Sequence, residues 1–107
     1  MKIGIVLNSS DPETAWNAFR FGVTSLINEH KVRIFLLGRG VEIEEINDEK
    51  FDVAKQIQRY LKAGGKMLAC GTCLKVRKKS EMKMCPVSSM QDLLEIVERS
   101  DKVLTFS

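Results

Sequence analysis

The chain has 107 residues, a formal net charge of +3, and 44% hydrophobic and 29% charged residues, the balance of one ordinary globular domain over residues 1–107. No apolar run approaches the roughly 20 residues needed to cross a bilayer, and so mild a charge does not demand nucleic acid. Three cysteines cannot pair completely within one chain, which points to a reducing, cytoplasmic setting with thiols that are free, reactive or ligating.

Lys2–Leu7 reads as a first strand, apolar and mostly β-branched. It is too brief for a signal core, and the polar Asn8-Ser9-Ser10-Asp11 follows at once. Asp11-Pro12-Glu13 starts a helix, with Asp11 as its cap and Pro12 where a missing N–H costs nothing. Ala15, Ala18, Phe19, Gly22, Val23, Leu26 and Ile27 recur at three- and four-residue spacing, carrying that helix to about Asn28. Gly22 on this stripe predicts close approach to a sheet. Val32–Leu37 is a second strand whose continuous apolarity suits burial on both faces, ended by Gly38 and Gly40. Residues 41–48 alternate weakly and read as loop with at most one helical turn.

Phe51, Ala54, Ile57, Tyr60 and Leu61 mark a second helix, stopped by Gly64-Gly65. Lys66–Ala69 is the third strand, after which Cys70-Gly71-Thr72-Cys73 opens a short helix anchored by Leu74 and Val76. Met84–Val87 reads as a short strand that Pro86 confines to an edge or an end. Ser88 or Ser89 then caps a helix with Gln91 and Asp92 at capping-box distance, and Lys102–Phe106 closes the chain. Strands alternating with helices predict a three-layer α/β/α sandwich on a mostly parallel sheet of four or five strands. In such sheets ligand chemistry gathers at the carboxyl ends of the strands, where Asn8-Ser9-Ser10, Gly38-Arg39-Gly40 and Cys70–Cys73 all fall.

The C-x-x-C pair is the strongest chemical signal. A thiol between a strand end and a helix start meets backbone N–H groups and the positive end of the helix dipole, which favour a thiolate. Arg77 and the neighbouring lysines would act the same way on Cys70. The competing reading is a buried core cysteine. Cys73 lies three residues on and is either a resolving thiol or a small core residue; Cys85, before Pro86, reads as structural. The catalytic candidates are therefore Cys70 and Cys73. Gly71 and Thr72 between them, Arg77, and Asn8 at the end of the first strand are the candidate substrate-binding residues. Neither a metal nor a cofactor is expected, since three cysteines and a lone His30 do not make a closed four-ligand set.

Charge is unevenly distributed. Residues 42–52 carry Glu42, Glu44, Glu45, Asp48, Glu49 and Asp52 against Lys50 alone, and residues 75–83 carry Lys75, Arg77, Lys78, Lys79 and Lys83 against Glu81 alone. This predicts a positive surface near the cysteines. The acidic run reads as solvated surface, or as a contact for a basic patch on a neighbouring subunit. Trp16, off the main helical stripe, is a candidate subunit contact.

Three segments together resemble a known family. Met1–Asn8, Ala69-Cys70-Gly71-Thr72-Cys73-Leu74 and Asp101–Phe106 look like the DsrE family, which includes the DsrE/F/H sulfur-oxidation proteins and the TusB/C/D sulfur-relay proteins. The resemblance implies a DsrEFH-like fold and a sulfur carrier whose cysteine after the third strand, here Cys70, holds sulfane sulfur as a persulfide. It further implies sulfur donor and acceptor proteins as partners, assembly into small homo- or hetero-oligomers, and tRNA reached only indirectly if at all. In the TusD-like pattern an arginine trailed by glycine follows the cysteine; here Arg77 is present and Lys78 replaces the glycine. Two other readings stay open: a thioredoxin-like dithiol redox protein using Cys70 and Cys73, and a non-catalytic assembly subunit.

Overall fold

The computed structural model describes all residues 1–107. Its elements run β1 (Lys2–Leu7), α1 (Pro12–Ile27), β2 (Lys31–Leu36), a 3-10 segment η1 (Gly38–Glu45), α2 (Val53–Lys62), β3 (Lys66–Cys70), α3 (Gly71–Val76), β4 (Val87–Ser88), α4 (Met90–Arg99) and β5 (Lys102–Phe106). The five strands form one sheet in the order β4-β3-β2-β1-β5, and every pairing is parallel. This is the expected α/β sandwich, with five strands.

The layers follow from which way alternate side chains point. Ile5 of β1 is in register with Ile34 of β2, and Ile34 with Met67 of β3. On that face Gly22 of α1 lies against Tyr60 of α2 and near Ile34, with no room for a Cβ. The expected close approach is thus made chiefly to a neighbouring helix. Tyr60 fixes the corner: it is fully buried and meets Phe19 edge-on at 5.5 Å. Its hydroxyl donates to the Lys66 carbonyl at 2.6 Å, with the Val32 carbonyl 3.2 Å away. Gly4, one step from Ile5, points to the opposite face and faces Ile96 and Ser100 at the end of α4. Helices α1 and α2 therefore cover one side of the sheet and α4 the other.

The helix starts at Asp11 and Ser89 are those the sequence marks, and α2 begins at Val53 with Asp52 as its cap. Asp11 accepts the Thr14 N–H at 2.9 Å and Asp52 accepts the Lys55 N–H at 3.1 Å. At α4 the Ser89 N–H donates to the Asp92 carboxylate at 3.1 Å. Four expectations change. Residues 38–45 are a continuous 3-10 segment rather than loop, with Val41 and Ile43 buried. β3 runs through Cys70, which is inside the strand and not after it. β4 begins at Val87 because Pro86 has no N–H to donate, although its carbonyl accepts from Ala69 at 3.0 Å. Trp16 is engaged within the chain, edge-on to Phe51 at 5.2 Å and with the Arg20 guanidinium 4.2 Å above its ring. No helix is long and apolar enough to cross a membrane.

Candidate functional site

Because β1, β2 and β3 are parallel neighbours, their carboxyl ends lie side by side, and the chain leaves each one close to the others. From β1 it leaves through Asn8, from β2 through Leu37 into Gly38, and from β3 through Cys70 into Gly71. Gly38 has a φ of +56°, which only glycine adopts without strain, and the amide oxygen of Asn8 occupies the space a Cβ there would fill. This conformation aims the Gly38 N–H at Cys73, whose Sγ accepts it at 3.2 Å. Asn8, Gly38 and Cys73 are thereby brought together from three separate segments.

The two thiols of the C-x-x-C differ. Cys70 closes β3, is 1% exposed and forms the cap of α3, its Sγ accepting the Cys73 N–H at 3.5 Å. Cys73, one turn on, is partly exposed. Burial pushes the Cys73 thiol above its usual range, and the adjoining Cys70 thiol pushes it the same way. The Gly38 N–H and the Arg77 charge pull in the other direction. Thr72 lies exposed between the cysteines. Gly71 is partly exposed, and a Cβ there would stand 3.1 Å from Val87 Cγ1 and 3.2 Å from the Ser88 carbonyl. The group that needs its small size is the chain's own β4.

Arg77 is not free to act on Cys70. Its Nε donates to Glu42 at 2.6 Å and its Nη1 to the Cys73 carbonyl at 3.0 Å. That bond to Arg77 holds the Glu42 carboxyl below the usual carboxylate range. Lys79 pairs with Glu45, and the Lys83 N–H donates to Glu44 at 2.8 Å. The acidic and basic runs therefore meet each other inside one chain. Part of the acidic run thus faces the basic one rather than solvent or a neighbouring subunit, and Arg77 and Lys79 are paired, while Lys75, Lys78 and Lys83 make no ion pair and keep the surface there positive. With α3 only six residues long, its dipole is also a smaller source of positive field than the sequence suggested.

The remaining candidates lie apart. Cys85 is buried with its Sγ 3.9 Å from the Met82 sulfur; burial, with the Glu44 charge adding to it, pushes that thiol up to about 12. Ser9 serves the turn before α1, accepting the Asp11 N–H at 3.0 Å. His30 sits beside the Met1 amino group, 2.7 Å away, at the opposite end of the sheet. No three His, Cys, Asp or Glu side chains converge as metal ligands. Two participants went unseen in the sequence. Gly38 reads in the sequence only as part of a strand-end loop, and Glu42 carries no signal beyond its charge.

The model of the DsrE/DsrF-like family matches residues 1–106. The uncharacterized protein MK0008 of Methanopyrus kandleri is 32% identical over 100 residues, covering 88% of this chain and 83% of its own length. The uncharacterized protein MJ0989 of Methanocaldococcus jannaschii is 29% identical over 114 residues, covering 99% and 100%. Among solved structures, the ychN protein from E. coli shares the fold with a TM-score of 0.87 at 22% identity, over 99% of each chain.

Proposed function

Since the chain belongs to the DsrE/DsrF-like family, we propose that it is a sulfur carrier, accepting sulfane sulfur as a persulfide and holding it on Cys70. The observation that carries this reading is the pair of adjoining free thiols at the carboxyl end of β3, with the Cys73 N–H directed at the Cys70 sulfur. A cysteine thiolate attacks the terminal sulfur of a donor persulfide; the new S–S bond forms as the donor's breaks, and the donor leaves as a thiolate. The backbone N–H on the Cys70 sulfur favours negative charge there. Unloading follows one of two balanced routes. An acceptor thiolate takes the outer sulfur and leaves Cys70 as a thiolate, or Cys73 attacks the inner sulfur, expels hydrosulfide and closes a Cys70–Cys73 disulfide.

Donor and acceptor proteins are the partners this chemistry needs, in a reducing, cytoplasmic setting that keeps the thiols free. Thr72, Asn8 and Arg77 frame the approach, and tRNA enters only through later acceptors. Incubation with a sulfane-sulfur donor is expected to add one sulfur to the wild type and leave none stably held on Cys70→Ala. An unchanged wild-type mass with a competent donor overturns the reading.

The placement of both cysteines at one strand-to-helix junction, with the Cys73 N–H on the Cys70 sulfur, also favours a second reading, a dithiol redox protein. Disulfide reduction that needs both cysteines would support it, and activity surviving Cys73→Ser would remove it.

A further inference from the structure

We propose that sulfur reaches this site through Cys73, which meets the donor first and hands the sulfur inward to Cys70; this rests on the carrier reading above. In dithiol pairs that open a helix the first cysteine is ordinarily the exposed, attacking one. Here the order is reversed. Cys70 is the last residue of a central strand and 1% exposed, whereas Cys73 is partly exposed.

Attack on a donor S–S bond requires the thiolate to approach along that bond, so the attacking sulfur must present an open side to a second protein. Cys70 has almost none. On one side of Gly71, its neighbour, Val87 and Ser88 leave little room beyond a hydrogen. Cys73 is reachable, and its sulfur already accepts the Gly38 N–H. The Arg77 guanidinium is held nearby by the Cys73 carbonyl. A persulfide formed on Cys73 therefore meets one N–H donor, beside an Arg77 whose charge is shared with Glu42.

The transfer is redox-neutral. The Cys73 thiolate forms a bond to the donor's outer sulfur, and the donor departs as a thiolate. The Cys70 thiolate next attacks the outer sulfur of Cys73–S–SH, giving Cys70–S–SH and returning Cys73 as a thiolate. The proton lost from Cys70 passes to Cys73. No electrons leave the pair and no further reactant is required.

Time-resolved mass mapping with inorganic polysulfide as the probe tests the order. The wild type is expected to show persulfide on Cys73 first and on Cys70 later. Cys70→Ser should load Cys73 at the wild-type rate but lose that sulfur once the donor is removed, and Cys73→Ser should load Cys70 roughly tenfold more slowly or worse. Because a variant can fail by misfolding, alkylation of the folded wild type supplies a second measurement: Cys73 should react at least about tenfold faster than Cys70, with buried Cys85 slow. Loading of Cys70 in Cys73→Ser at the wild-type rate, or equal alkylation of the two thiols, overturns the order and leaves the carrier reading standing. No sulfur on any thiol of the wild type ends the carrier reading, and this inference with it.

Discussion

Lys78 ends α3 in the left-handed conformation, with a φ of +58°, at the position where the TusD-like pattern carries glycine. The hydrogen bonds around it explain the demand. The Lys79 N–H reaches back to the Leu74 carbonyl and the Lys78 N–H to the Lys75 carbonyl, both at 2.9 Å. That is the Schellman arrangement of a helix C-terminus, whose residue after the cap must be left-handed. The same pair of bonds closes α1, with Glu29 in the left-handed position at φ 69°, and α2, with Gly64 there at φ 97°. Glycine fills one of three equivalent positions, and the other two hold an L side chain against its preference. Lys78→Gly and Glu29→Gly should therefore each stabilise the fold by about 1 kcal/mol, as the strain of a left-handed non-glycine residue is relieved. The sites are on different helices, so the two gains should add. Denaturant midpoints of the two single variants and the double check this; a loss of stability in either would mean the side chain makes a contact worth more than the strain.

At the scale of elements, the seam between η1 and the segment after α3 sets how firmly the cysteines are held. A six-residue helix has little stability of its own. Here the Arg77–Glu42 pair, the Lys79–Glu45 pair and the Gly38 N–H on Cys73 tie it to its neighbour. Glu42 is the pH-sensitive member. Its folded value lies below its ordinary one, so the pairing is complete above the usual carboxylate range and is lost as pH falls through the depressed value. Amide exchange over residues 71–79 should accordingly speed up on acidification, and Glu42→Gln should show the fast behaviour already at neutral pH. Both groups are surface-accessible, so the global melting temperature should scarcely move. Exchange in Glu42→Gln matching wild type at neutral pH would show that the ion pair does not restrain α3. This seam also marks the limit of what the sequence could reveal. Asp11-Pro12 and Gly64-Gly65 are local signals, and the helices they bound appear where expected. The 3-10 run of η1 has no such signal, because long 3-10 segments are intrinsically poor. Glu42 and Arg77 stand 35 residues apart, and nothing in composition says which acid meets which base. Cys70 lies at a strand boundary, where a shift of one residue decides between an exposed thiol and a buried one.

At the scale of the whole molecule, the sheet is unevenly covered. Two helices roof one face, and α4 lies on the other, against β1. A helix about 10 Å wide cannot cover five strands that together span about 19 Å. The uncovered surface is apolar where it matters. Met90, Leu94 and Val97 form an outward stripe on α4 and are 55%, 48% and 46% exposed. Val103, in register with Gly4 on the α4 face, is 39% exposed on the edge strand β5. A stripe of exposed apolar side chains such as that on α4 is unfavourable in water and is the usual core of a subunit interface. The chain is therefore expected to self-associate through α4 and β5, leaving the cysteine site at the carboxyl ends of β1, β2 and β3 accessible. Light scattering across the micromolar range should report an oligomer for wild type and a smaller species for Leu94→Lys, with circular dichroism unchanged. A wild type that stays monomeric at every concentration would rule out this face as a homo-oligomer contact. A Leu94→Lys variant that keeps the full oligomer would move the interface elsewhere on the molecule.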